Sequence, residues 1–328
     1  MLEKFLQREI DVGSFAGASW AIGTLDGITH SGALGHAVAV PLRIEADEST
    51  IFDCASLTKP LVTGTIILQA IDSGEIDLED EYRGFTFREL LTHTSGLRAW
   101  LPLYAFGDYL EAIDAEGVQC ERGERVIYSD LNFVLLHAAI GEIFGDYIAA
   151  ARESIFRPLG LKDTLFHPPA ALRPRIAATE WGQRYERAMC AERSIDFDGF
   201  REGLMWGETH DGNSFYAGGT CGNAGLFATA RDVFRIAQGF VRGELVARKL
   251  VDEATRVHFE DRGLGWQLAG PGLSSFSFGH MGFTGTSVWL EGDRIMVLLT
   301  NRIHPCAAAI GMHRIRGEFH RICLHRPA

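Results

Sequence analysis

Ser56-Leu57-Thr58-Lys59 sets a hydroxyl and an amine three positions apart, a spacing that puts both side chains on one face of a helix. An ammonium can then sit beside the hydroxyl, and a helix N-terminus at the same place adds partial positive charge where an oxyanion would develop. Alone, this S-x-x-K pattern arises often by chance. Tyr128-Ser129-Asp130 follows the turn-like Arg122-Gly123-Glu124 and precedes an apolar helical stretch. A phenol, with a reference pKa of about 10, acts as a base only where a cation favours its ionised form; Lys59 is a candidate for that cation. The plainer reading is a buried tyrosine, with Ser129 or Asp130 capping the next helix. His280-Met281-Gly282, followed by Phe283-Thr284-Gly285-Thr286, falls in a strand pattern. A glycine inside a strand often marks close approach of a ligand or another backbone. This edge could hold an acyl group through its main chain and supply an N–H to an oxyanion; a satisfied histidine beside a sheet bend is the alternative. His210-Asp211 and Asn213 are candidates for substrate contact or water positioning, or else members of an Asx turn. His93 reads as a turn-stabilising residue.

The elements that must hold these groups follow from periodicity. Residues 2–11 pattern as an amphipathic helix ended by Gly13, and Asp26-Gly27 between two apolar runs signals a hairpin. From Ser56 onward LTKPLVTGTIILQAIDSG is apolar at helical spacing and stops at Ser73-Gly74. Pro60 is tolerable within a first turn. Residues 56–185 are mostly helical by pattern, and 190–225, rich in Gly, Asn and Asp, reads as a long surface loop. After another helix beyond Ala230 come strand patterns in GLGWQLAG, SSFSFGHMG, TSVWLEG and RIMVLLTNR, then a closing helix within 307–322.

The composition narrows the class. At 328 residues with 46% hydrophobic and 23% charged side chains, the chain can bury a sizeable core. A net charge of −12 argues against nucleic acid and against anionic membranes as partners. The N-terminus lacks the apolar core and cleavage site of a signal peptide, and no apolar run is long enough to span a bilayer. The expectation is a cytoplasmic protein acting on a small molecule; its oligomeric state is left open. Six scattered cysteines without a C-x-x-C pair are expected to be reduced. No metal motif, nucleotide-binding glycine pattern or G-x-S-x-G elbow occurs, so neither metal nor other cofactor is expected.

Taken together, the order S-x-x-K, Y-x-[N/D], [K/H]-x-G resembles the class C β-lactamase family, with its related D-alanyl-D-alanine peptidases and carboxylesterases. LLTHTSGL, RGERVIYSD, RPLGLKDTLF and HDGNSFYAGGTCGNAGLFATARD agree in kind, and the likeness runs from about residue 10 to 305. The resemblance implies an α+β fold: an antiparallel sheet flanked by helices, built from residues 1–54 and 222–328, and a mainly helical domain from 55–221. The active site would lie in the cleft between them. By the same resemblance Ser56 is the nucleophile and Lys59 its cationic neighbour. Tyr128 is the base that later protonates the leaving group, and the N–H groups of Ser56 and Phe283 form the oxyanion hole. Asp130, His280, Gly282, His210 and Asn213 would contact substrate. Asp130 stands where β-lactamases carry asparagine, Met281 where they carry a hydroxyl, and His280 where they carry lysine. A weaker, titratable cation and an added anion favour neutral esters or amides over anionic lactams. The implied function is a serine hydrolase forming an acyl-enzyme with a small ester, amide or lactam. The competing reading is a non-catalytic penicilloyl-binding sensor or scaffold.

Overall fold

The computed structural model describes residues 1–306 and 311–325. Its centre is a seven-stranded antiparallel sheet whose strands lie in the order Ile44–Glu45, Gly27–Val38, Gly17–Thr24, Arg294–Thr300, Ser287–Glu291, Phe278–Met281 and Gln267–Leu268. The two chain ends meet in its middle, where Ala18 pairs with Thr300 and Thr24 with Arg294. Alternation in these strands explains why both faces are buried. Trp20, Ile22, Trp289, Met296 and Leu298 point to one face, under the helices Leu2–Asp11 and Met312–Leu324. Ala21, Val288, Leu290, Ile295, Val297 and Leu299 point to the other, onto helix Ala230–Val241. That second cluster continues without a break into the helical region, through Leu61, Ile66, Leu131, Phe133 and Leu135.

The α+β architecture and the Thr24–Gly27 hairpin agree with the periodicity, and the closing helix occupies Met312–Leu324; residues 307–310 of the expected helix lie outside the described residues. Three expectations need correction. The helix expected from Ser56 is α-helical only over Thr65–Ser73; before it run a 3₁₀ turn, Ala55–Leu57, and a wide π-helical turn, Lys59–Gly64. Pro60 has no N–H to donate back to Ser56 O in a regular i→i−4 ladder, and wide turns of this kind recur at functional sites. The stretch 190–225 is an exposed irregular loop only in its first half, to about residue 204; its second half turns inward, carries a short helix, Gly212–Tyr216, capped by Asp211, and buries His210, Asn213, Ser214 and Asn223. The polar residues of that second half serve internal hydrogen bonds, as Asn213 does with the Leu103 N–H and Leu101 O. Finally, the strand expected in GLGWQLAG shrinks to Gln267–Leu268.

Candidate active site

The Ser56 turn is held from several sides. Phe52–Asp53 pairs with Phe227–Ala228, and the Cys54 N–H donates to Leu226 O at 2.8 Å. Asp53, 2% exposed, accepts from the Ala55 N–H at 2.8 Å through one oxygen and from the His210 N–H at 2.7 Å through the other. Burial raises this carboxyl above the ordinary carboxylate range, against the pull of those two N–H donors. Ala55, immediately before Ser56, has φ +47°, a left-handed conformation that costs a residue with a Cβ and persists only where neighbours over-determine it. Those neighbours include the Gly282 bend: Thr284 Oγ1 donates to Asp53 O at 2.7 Å and Thr286 Oγ1 to Cys54 O at 3.0 Å. A Cβ on Gly282 would sit 2.7 Å from Cys54 O, which is why this approach takes glycine.

Lys59 is fully buried. Its ammonium donates to Ser56 Oγ at 2.9 Å and Asn223 O at 3.0 Å, and pairs with Asp130 Oδ1 at 2.7 Å. An ammonium has three protons, so all three are engaged. Burial alone would lower its pKa, but the negative charge available on Asp130 and Tyr128 holds it above the usual lysine value. Lys59 is therefore held as a cation at neutral pH. Burial raises Asp130, with Lys59 pulling the other way. Because Ser56 Oγ accepts from Lys59, its own hydroxyl proton stays available for a base. Tyr128 stands in the same place: its ring centre lies 5.1 Å from Lys59 Nζ.

Tyr128 and Asp130 are positioned by the residues around Ser129. The Ser129 hydroxyl donates to Arg98 O at 2.6 Å and its N–H donates to His93 Nδ1 at 3.1 Å, starting helix Asp130–Phe144. His93 packs against Tyr128 with ring centres 4.6 Å apart, and burial, Arg262 and Lys59 hold it well below the usual histidine range. It is a neutral acceptor that organises this turn.

Two cavities open from Ser56, Tyr128 and Phe283. The first, about 240 Å³, is lined by Trp100, Asp130, Tyr185, Glu186, His210 and Asp211 among others. The second, about 510 Å³, is lined by Arg262, His280, Met281, Gly282, Arg302 and Arg316 among others. Ser56 and Phe283, whose N–H groups are the expected oxyanion hole, both line the two cavities. Phe283 is fixed by Arg302 Nε, which donates to its carbonyl at 2.6 Å, and by His210 stacked at 5.4 Å.

The structure thus gathers Ser56, Lys59, Tyr128, Asp130, His280, Gly282, Phe283 and His210 around one cleft, and corrects several expected roles. Asn213 is fully buried, accepts from the Leu103 N–H and donates to Leu101 O, both at 2.8 Å; it fastens two segments together and does not line the cavities. His280 is not a titratable cation. It is 3% exposed, its Nδ1 lies 3.0 Å from Met281 O, and burial, then Lys59 and Arg262, hold it well below the usual range. Asp130 is the counter-ion of Lys59 through Oδ1, and it also lines the smaller cavity beside Ser56. Sequence reasoning missed Asp53, Asn223, Glu186, Arg302 and Arg316. Asn223 acts through its carbonyl oxygen, so its side chain gave no signal, and the arginines join the site from the turn after the last strand and from the last helix.

A β-lactamase family model matches residues 2–318, and the chain belongs to that family; it is a β-lactamase-family hydrolase. A putative D-alanyl-D-alanine carboxypeptidase of Escherichia coli K12 is 28% identical over 94% of this chain and 83% of its own length. Two solved structures share the fold: a D-amino acid amidase from Ochrobactrum anthropi (TM-score 0.74, 20% identity, covering 99% of this chain and 98% of that one) and EstCE1, a hydrolase with promiscuous acyltransferase activity (TM-score 0.75, 17% identity, 99% and 97%).

Proposed function

We propose that this chain hydrolyses a small ester, amide or lactam through an acyl-enzyme on Ser56. The observation that carries this reading is the ammonium of Lys59, whose three protons are held by Ser56 Oγ, Asp130 and Asn223 O. With Lys59 fixed as a cation, Ser56 gives its proton to Tyr128 as Oγ bonds to the substrate carbonyl carbon. The Ser56 and Phe283 N–H groups receive the oxyanion. Tyr128 returns the proton to the leaving group as its bond breaks, then takes one from the water that cleaves the acyl ester and passes it to the departing Ser56 Oγ. The name of the carboxypeptidase relative and the fold shared with an amidase support amide chemistry.

The discriminating experiment is stopped-flow hydrolysis of a p-nitrophenyl ester. Continued turnover after any burst supports the hydrolase. A single burst of one equivalent, with no later turnover, would support the penicilloyl-binding sensor instead.

A further inference from the structure

His210 is held from several sides at the wall of the smaller cavity. Its N–H donates to Asp53 Oδ2 at 2.7 Å, and Arg201 holds the carbonyls of Thr209 and His210 through Nη1 and Nη2, both at 2.6 Å. The ring stacks on Phe283 with centres 5.4 Å apart. On the ring edge, Nε2 lies 3.1 Å from Glu180 Oε2. Glu180 is 1% exposed, and its other oxygen accepts from the Tyr185 N–H at 3.1 Å. A carboxylate accepts and does not donate, so it keeps a proton on His210 Nε2. With Nε2 turned to Glu180, the nitrogen that His210 can offer the cavity is Nδ1, and in the neutral ring that atom is an acceptor.

A buried carboxylate that fixes the tautomer of an imidazole also aims its second nitrogen. The neighbours of His210 say at what. Ser56, Tyr128 and Phe283 line the same cavity, and Tyr185, tied to the same Glu180, packs its ring on Phe283 with centres 4.6 Å apart. The pair therefore borders the place where an acyl group on Ser56 would present its carbonyl. The cavity, about 240 Å³, has room for about eight waters at the ~30 Å³ each takes in the liquid, so a small acyl group and an attacking water fit in it together. Acylation has no task for His210, because Lys59 and Tyr128 already serve Ser56 Oγ. Hydrolysis of the acyl ester does have one. Tyr128 engages only one of the two protons of the attacking water, and a water held by one proton is free to turn its lone pair away.

Resting on the Ser56 acyl-enzyme reading, we propose that Glu180 and His210 hold the water that releases the acyl group. His210 Nδ1 accepts a hydrogen bond from one water proton, which is never transferred. The Tyr128 phenolate takes the other proton as the water oxygen bonds to the acyl carbonyl carbon. The tetrahedral oxyanion then collapses, the C–O bond to Ser56 breaks, and Tyr128 passes its proton to Ser56 Oγ. His210 neither gains nor loses a proton. Two acceptors fix both protons of the water and so direct its lone pair at the carbonyl carbon. His210 is thus a water-positioning residue for deacylation, and Glu180 acts through it. Acylation, in which no water reacts, is independent of both.

The test separates the two half-reactions in the full chain. With enzyme in excess over p-nitrophenyl acetate, stopped-flow release of p-nitrophenol gives the acylation rate, and intact mass after acid quench follows loss of the acetyl adduct from Ser56. His210→Phe keeps a ring against Phe283 and deletes both nitrogens. Glu180→Gln keeps the shape and inverts the tautomer: the amide oxygen must accept from the Tyr185 N–H, its NH2 then faces Nε2, and the His210 proton moves to Nδ1, where it donates to the water instead of accepting. In both variants decay of the adduct should slow on the order of 100-fold, while the acylation rate changes less than about threefold. Hydroxylamine, a nucleophile strong enough to need no held water, should clear the adduct from variants and wild type at similar rates. Acylation and decay slowed alike would make the pair structural and overturn the proposal, and so would decay at the wild-type rate in Glu180→Gln. Should His210→Phe fail to fold, Glu180→Gln decides alone. These outcomes leave the Ser56 reading standing; no adduct on Ser56 in wild type or variants overturns that reading and the proposal together.

Discussion

Lys59, Asp130 and Tyr128 divide the roles at Ser56 by charge. An ammonium taken wholly out of water would tend to lose its proton; the Asp130 carboxylate at 2.7 Å reverses that tendency. Replacing Asp130 by Asn leaves the burial and removes the anion, so the Lys59 pKa should fall. The alkaline limit of kcat/KM should move to lower pH in Asp130→Asn, measured as a full pH–rate profile; a limit that stays in place would mean that Asp130 does not hold the charge of Lys59. The phenol of Tyr128 has a separate task. Tyr128→Phe keeps the ring against His93 and deletes only the hydroxyl. Ester hydrolysis should fall on the order of 10²- to 10⁴-fold, whereas a loss below threefold would make Tyr128 structural.

At the scale of elements, the site depends on short irregular segments more than on regular ones. Ser56 sits in a 3₁₀ turn followed by a π-helical turn, and Tyr128-Ser129-Asp130 is fixed by the C-terminal end of helix Phe87–Thr92, where His93 adopts φ +60°. His93 Nδ1 must be an unprotonated acceptor for the Ser129 N–H. Its folded pKa lies well below the unfolded value of about 6.5, so the unfolded chain binds the extra proton first. The stability tied to this group is present above about pH 6.5 and is lost below it at about 1.4 kcal/mol per pH unit, until the folded pKa is reached. The difference in unfolding free energy between wild type and His93→Gln should thus be larger at pH 8 than at pH 5, and a pH-independent difference would contradict the assignment. The spacing of Ser56 and Lys59 made their proximity legible, because residues three apart meet in any helical turn. The width of that turn was not legible, since it follows from Pro60 together with tertiary contacts. Nor was the inward turn of residues 209–225: Gly, Asn and Asp have the same composition whether their hydrogen bonds go to water or, as at Asn213 and Asp211, to the protein.

The whole molecule closes by pairing its two ends in the middle of one sheet, so helix Leu2–Asp11 is part of the core although it contributes nothing to the cleft. Leu6 is fully buried against the outer face of the sheet. Leu6→Ala should cost about 2–5 kcal/mol in chemical denaturation, with kcat/KM per folded molecule unchanged; a loss of catalysis beyond twofold in fully folded protein would show coupling that the packing does not provide. Strand alternation and the hairpin signal made the sheet readable from the sequence. The charge of the cleft was not, because it is a property of the assembled fold: Asp211 approaches from the interior of the chain, and Arg302 and Arg316 from beyond the last strand.

The central claim is covalent chemistry at Ser56. Its most direct measurement is intact-mass spectrometry with peptide mapping after brief acid quench of a reaction with a p-nitrophenyl ester, in wild type and in Ser56→Ala. An acyl mass increment should map to Ser56, disappear with time as product forms, and be absent from a folded, inactive Ser56→Ala protein. An increment on another residue, or ester turnover by Ser56→Ala near the wild-type rate, would contradict it.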